Sequence, residues 1–259
     1  KVMFSGLGGD ELFAGYDIHR YANTLGRLHG LVPAPLRRGV LDPLSRGLWS
    51  ARSRWLPLHT EHLRIGSQIA LSVGDRAAFY ARLRNAWDGD EGMFDRLYAE
   101  PGRFRAAPRT ADRFRPWFDG AGDPLDQVLR AEFENKMVND FLVNEDRTGS
   151  AHGLESRVPF LDRRLVELAF SIPARRKMRG WETKALWKDS VGDALPERIR
   201  GKKKQGFTFS SYHQWTKDLR GAVEGELTPA WCLDTGLFLS EFVREVLDVP
   251  PHPRCRWHY

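Results

Sequence analysis

Apolar residues recur along most of this chain at helical spacing. Leu125, Val128, Leu129, Phe133, Met137 and Phe141 fall on one stripe. Asp123 is placed to cap that helix, Pro124 fits its first position and Asp126 its third. Leu165, Val166, Leu168, Ala169 and Phe170 mark a second helix, which Pro173 closes. A third runs from about Thr183 to Leu195, with Leu186, Trp187, Val191, Ala194 and Leu195 on one face, and stops at Pro196. Before these, Leu63, Ile69, Ala70, Val73, Ala77, Tyr80 and Leu83 repeat at the same spacing. The stretch 31–58 carries Pro33, Pro35, Pro43 and Pro57 and reads as short helices and loops. Residues 85–122, rich in Gly, Asp, Arg and Pro, predict no clear element.

One segment departs from this periodicity. Val2 to Phe4 is a short apolar run that reads as a strand and empties into Ser5-Gly6-Leu7-Gly8-Gly9. Asp10 and Glu11 follow at the start of a helix, "DELFAGYDIHRYANTLGRL", where acids suit the helix dipole. A lone strand needs neighbours. Since the remainder reads as helical, those neighbours are expected outside this chain. The start at Lys1 inside a strand and the stop at "RCRWHY" both look like cuts.

Composition adds bounds. The 259 residues suffice for a real core, and 41% apolar with 29% charged residues is ordinary for a soluble domain. No apolar run reaches the ~18 residues that cross a bilayer, and no signal peptide is legible. Cys232 and Cys255 form no CxxC pair, so a reducing, cytoplasmic setting is the expectation. The net charge of +6 and pI near 9.5 invite a nucleic-acid reading. Arginines are scattered among acids, however, and only Lys202 to Lys204 is a pure basic run, so a solvated surface is preferred and no nucleic-acid partner is expected.

Three segments carry chemistry. "SGLGGDE" puts glycines after a strand, where backbone amides can approach a phosphate. The dinucleotide fingerprint fails, because its third glycine position falls on Glu11, and no Walker lysine follows. Asp10 beside such a loop is a natural magnesium ligand; a plain strand-to-helix turn with an acidic start is equally open. "NEDRTGSAHGLESRVPFLD" gathers Asp146, Arg147, His152, Glu155, Arg157 and Asp162 between two helices. A structural ion network suits Arg157 and Asp162 best, and His152 reads as a satisfied structural histidine. "RIRGKKKQGFTFS" is either a solvated basic loop or one that carries a lysine to an anionic intermediate. Esterase, metalloprotease and calcium-sensor motifs are absent.

In this order, "SGLGGDELFAGY", "EDRTGSAHGLESRVPFLDRRLVELAFSIP", "TKALWKDSVGDALPERI" and "KKKQGF" resemble the synthetase domain of the asparagine synthase family. The match runs from the start to about Trp215, with residues 31–122 adding little. The resemblance implies an α/β nucleotide-binding fold of the adenine nucleotide alpha-hydrolase type, of which this fragment is the mostly α-helical C-terminal part with a short N-terminal strand. It implies ATP and Mg2+, adenylation of a carboxylate, usually that of aspartate, and amidation by ammonia that a separate domain makes from glutamine. The family's Ser-Gly-Gly-x-Asp-Ser pyrophosphate loop and glutaminase cysteine are not in residues 1–259, so the chain alone is expected to be inactive.

Carried over by position, Ser5 and Gly6 contact ATP, Asp10 holds magnesium and Lys204 stabilises charge in the adenylation transition state. Glu11, Asp146, Arg147 and Glu155 complete a candidate active-site network. Leu7 departs from the acid usual in asparagine-forming members, and a leucine can neither ligate an ion nor move a proton. That opens the alternatives of another carboxylate or a lactam-forming synthetase. Small-molecule substrates are the expected partners, with a homodimer as a further expectation for the full-length enzyme and no membrane partner. The competing class is a noncatalytic helical or basic binding module. A reading frame continuing upstream into the missing loop and cysteine decides for the enzyme.

Overall fold

The computed structural model describes residues 1–28, 33–36, 75–84, 95, 97–105, 110–200 and 220–248. It divides into two compact units, residues 1–83 with 114–201, and residues 84–113 with 202–259. The expectations for residues 37–74, and the Lys202–Lys204 run, lie outside the described residues.

In the first unit, β1 (Val2–Phe4) pairs in parallel with β2 (Glu155–Arg157), in the register Val2 to Glu155, Met3 to Ser156 and Phe4 to Arg157. The chain therefore supplies one of the neighbours expected from outside it. β2 is hard to read from sequence because it has three residues, and two of them are charged. The other regular elements among the described residues are helices, apart from isolated bridges such as Arg179 with Glu182. Helix α1 (Gly9–Phe13) ends at Ala14, whose φ of 59° is left-handed, and α2 (Asp17–Leu28) starts anew. The single helix start predicted here is thus two helices with a corner between them.

A short α3 (Ala34–Leu36) and α4 (Arg76–Leu83) follow, then α5 (Pro101–Arg105), which belongs to the second unit. Helix α6 (Thr110–Phe118) enters the first unit from Phe114 on. Helix α7 (Pro124–Ala131) starts as predicted: the Asp123 carboxylate accepts the Leu125 N–H at 2.9 Å and Pro124 opens the first turn. It runs on as a π-helix over Glu132–Phe141 and then as α8 (Leu142–Ala151). The π segment uses i to i+5 bonding, as in Leu142 N–H to Met137 O. After β2 come α9 (Arg163–Ser171), α10 (Ala174–Lys177), α11 (Ala185–Val191) and α12 (Glu197–Arg200).

Among the described residues, two apolar clusters hold this unit. The larger joins Ile18 and Ala22 of α2, Phe79 and Tyr80 of α4, Phe118 of α6, and Leu125, Val128 and Leu129 of α7. The smaller sets Leu12 and Phe13 of α1 against Ala169, with Phe160, Phe170 and Trp187 packed on it. In the second unit Phe238 stacks between Tyr98 and Trp231, with ring centroids 5.6 and 5.9 Å away. There Thr228 caps α14 (Pro229–Thr235), which follows α13 (Arg220–Glu226) and precedes α15 (Ser240–Asp248).

Lys177 at the end of α10 is fully buried. Its Nζ sits 5.3 Å from the centre of the Phe170 ring and has no hydrogen-bond partner among the described residues. Burial pushes its pKa down to about 8, against a smaller pull upward from Asp126. The unfolded chain therefore holds a proton that the folded chain has lost between pH 8 and the ordinary lysine value of 10.5, so stability rises with pH across that window. The rise is worth up to about 3 kcal/mol. The check is the thermal-unfolding midpoint of wild type and Lys177→Met from pH 7.5 to 10.5. Wild type gains on the variant as pH rises; a constant gap contradicts this.

Candidate functional site

The turn after β1 is shaped by what lies beneath it. Gly8 has φ 91°, a left-handed conformation, and a Cβ there would sit 2.7 Å from the Leu161 side chain. The backbone thus lies directly on Phe160 and Leu161, which follow β2. The loops leaving the carboxyl ends of two parallel strands meet here, the usual place for a ligand in an open α/β sheet.

Ser5 is held from two sides. Its N–H donates to Arg157 O at 2.8 Å, extending the ladder. Its hydroxyl donates to Glu145 Oε2 at 2.9 Å and accepts the Leu7 N–H at 3.3 Å. Gly6 is exposed, and a Cβ built there meets nothing within 4 Å. Leu7 is half-buried.

Asp10 turns toward α11. Its Oδ1 lies 2.7 Å from Lys184 Nζ, with both side chains partly buried. Lys184 is itself left-handed, with φ 56°, a costly conformation for a residue with a side chain. Gly15 makes room for the pair: a Cβ there would lie 1.7 Å from Asp10 Oδ1 and 2.4 Å from Lys184 Cε. Lys184 went unnoticed in the sequence, although it stands in the quoted "TKALWK" segment, because nothing local says that it reaches Asp10.

Glu11 points away from this mouth. It is 1% exposed and accepts the Tyr16 hydroxyl at 2.6 Å. Burial raises the pKa of its carboxyl, while the Tyr16 bond and Lys136 pull it down. Lys136 Nζ lies 4.2 Å from the centres of the Tyr16 and Phe141 rings and 3.4 Å from Glu132 Oε2. The Tyr80 hydroxyl donates to Glu132 Oε1 at 2.6 Å. The two buried carboxylates, the ammonium and the phenols thus form one ion network under the turn, with Glu132 and Lys136 both on the π-helix.

Asp146 and Arg147 are exposed. Glu155 is also exposed and pairs with Arg157 at 2.6 Å. Asp162 caps α9 by accepting the Arg164 N–H at 3.0 Å, and the Arg164 side chain and amide hold its carboxyl below the usual range. His152 Nδ1 sits 2.9 Å from Thr148 O. Arg157 and Asp162 thus make separate exposed local pairs, with Glu155 and Arg164, rather than the structural ion network expected for them, and His152 keeps a local backbone partner. Of the candidate residues, the fold brings Ser5, Gly6, Leu7 and Asp10 together at one turn and adds Glu145 and Lys184. Lys204 lies outside the described residues.

Asp10 fits magnesium in one way. Among the described residues no group of three or more His, Cys, Asp or Glu could hold a metal. One carboxylate is enough only where phosphate oxygens and water complete the shell. No described helix is long and apolar enough to cross a membrane.

The family model for asparagine synthase matches residues 1–258. A Mycobacterium tuberculosis (strain ATCC 25618 / H37Rv) protein, provisionally named a glutamine-hydrolyzing asparagine synthetase, is 31% identical over 219 residues, covering 82% of this chain and 30% of its own length. Asparagine synthetase [glutamine-hydrolyzing] 1 of Bacillus subtilis (strain 168) is 25% identical over 239 residues, covering 89% of this chain and 34% of that protein. The chain thus spans about a third of the curated relatives it matches. No solved structure matches. With a match over 258 residues and the turn, the parallel strand pair and the TK segment all inside it, the chain belongs to the asparagine synthase family.

Proposed function

We propose that this chain is the C-terminal part of the synthetase domain of an ATP-dependent, amide-forming ligase. The glutaminase domain and pyrophosphate loop then belong to other parts of the longer protein. The observation that carries the reading is the Asp10–Lys184 pair at the carboxyl end of a parallel strand, in a chain matched by the family model throughout. The test is pyrophosphate release from ATP by the full-length protein, with and without a carboxylic acid substrate. Release that no carboxylate stimulates defeats the proposal in favour of a noncatalytic module.

In the proposed reaction a carboxylate oxygen attacks the α-phosphorus of ATP, and the bond to the bridging oxygen breaks to free pyrophosphate. Ammonia derived from glutamine then attacks the acyl carbon. AMP leaves with the carboxylate oxygen, and the surplus proton passes to solvent. Gly6, open on its outer side, offers its backbone to the nucleotide. Asp10 would hold magnesium, which screens phosphate charge when bound. Lys184 then exchanges its carboxylate partner for a phosphate oxygen, with no residue needed to supply a new charge. Lys204, from its position before the Gly-Phe pair, would neutralise charge growing on the leaving pyrophosphate. Aspartate is the first candidate acceptor, and Leu7 keeps another carboxylate or a lactam-forming reaction as the alternative.

In the full-length protein, Asp10→Asn lowers pyrophosphate release by about 10²–10³ and leaves glutamine hydrolysis in place. Unchanged rates across a magnesium titration would make Asp10 only the partner of Lys184. Lys204→Ala costs a similar ~10²–10³ in single-turnover adenylation, while Lys202→Ala and Lys203→Ala, at positions where the motif needs no lysine, each cost less than about tenfold. Equal losses in all three variants would make the run a general basic patch. With Leu7 in place, aspartate supports slower amide formation than a larger carboxylate does; efficient asparagine formation would show that no acid is needed there.

A further inference from the structure

Glu145 has no part in the reading above, yet it is the side chain on which the nucleotide turn hangs. It lies on α8, one turn from the start of that helix. Both carboxylate oxygens are engaged: Oε2 accepts from the Ser5 hydroxyl at 2.9 Å, and Oε1 accepts from the Ser156 hydroxyl. Ser156 is the central residue of β2 and pairs with Met3 of β1. One helix carboxylate therefore ties the last ladder position of one strand to the middle of the other.

The hydroxyl of Ser5 has a single proton. Glu145 takes it, so the Ser5 oxygen can only accept, and it accepts the Leu7 N–H. Leu7's amide is thereby taken up within the turn. Gly6, with open space around its α-carbon, is left as the residue whose backbone a ligand can reach. Without Glu145 the Ser5 hydroxyl is free to rotate, the Leu7 amide loses a defined acceptor, and the peptides on either side of Gly6 lose their orientation. The two hydroxyl donors also spread the carboxylate's charge, which lets an acid stand beside a site meant for phosphates.

We infer that Glu145 is a positioning residue for ATP, acting through Ser5 and anchored by Ser156. The inference rests on the proposal that the Ser5–Gly6 turn contacts the nucleotide. The experiment uses the full-length protein and its Glu145→Ala, Glu145→Gln and Ser156→Ala variants. Readouts are KM for ATP and kcat in pyrophosphate release, equilibrium binding of α,β-methylene-ATP, and the thermal midpoint.

The expected result is a rise in KM and in the analogue's Kd on the order of tenfold for Glu145→Ala, with a smaller change in kcat. Glu145→Gln keeps one carbonyl acceptor and restores affinity to within about threefold of wild type. Ser156→Ala falls between the two, although it leaves Ser5 untouched. Nucleotide affinity within twofold of wild type in Glu145→Ala overturns the inference. So does an equal loss in the Ala and Gln variants that follows their thermal midpoints, since that marks a purely structural role. Wild type that binds the analogue but releases no pyrophosphate with any carboxylate defeats the ligase reading and leaves the Glu145 test standing. Wild type that does not bind the analogue defeats both.

Discussion

The Asp10–Lys184 ion pair is the constraint around which the described site is arranged. It joins the first turn of α1, at residue 10, to a helix start at residue 184, and their contact is 2.7 Å. To close it the backbone turns left-handed at Gly8, Ala14 and Lys184, two of which bear side chains. Gly15 must have none, since a methyl group would occupy the space of the pair itself. Strain of this kind costs about 1–3 kcal/mol per residue and persists where surrounding structure over-determines it. Here Leu12 and Phe13, buried against Ala169, Phe160 and Trp187, hold α1 down while the corner turns.

Charge in this chain is sorted by depth. Among the described residues, several arginines sit in exposed local pairs, such as Arg130 with Glu134 and Arg163 with Glu167, each four residues apart. Such pairs contribute little to stability and report on no partner. The buried charges behave differently. Glu11, Glu132 and Lys136 share one network with two tyrosines, and breaking it by removing a single member leaves an uncompensated ion. That network lies directly beneath the turn that carries Asp10, so the site stands on a polar floor whose geometry hydrogen bonds fix. The π-helix is the local device that brings Glu132 and Lys136 to it.

Where sequence and structure agree, the signal was local. Asp123 and Pro124 announced α7, Pro173 closed α9, and Val2 to Phe4 read as a strand. The helix expected to run to Leu195 ends at Val191 instead and tightens into a 3-10 turn over Gly192–Ala194. What escaped was long-range or too short to show a period. β2 has three residues and no alternation of apolar and polar positions. The corner at Ala14 is invisible because nothing in "LFAGY" demands a left-handed alanine. Among the charged residues of "NEDR", density in sequence did not reveal direction. Asp146 and Arg147 are exposed, and their neighbour Glu145 is the one that reaches the turn. Lys184 likewise meets Asp10 only because the fold closes a separation of more than 170 residues.

The placement of a nucleotide on this turn is tested most directly by hydrogen–deuterium exchange of the full-length protein, with and without magnesium and α,β-methylene-ATP. A nucleotide seated there slows exchange at the amides of Gly6, Gly8 and Gly9 and at the start of Ala185–Val191. Unchanged exchange in both segments, with the analogue shown to be bound, contradicts a phosphate site between Asp10 and Lys184.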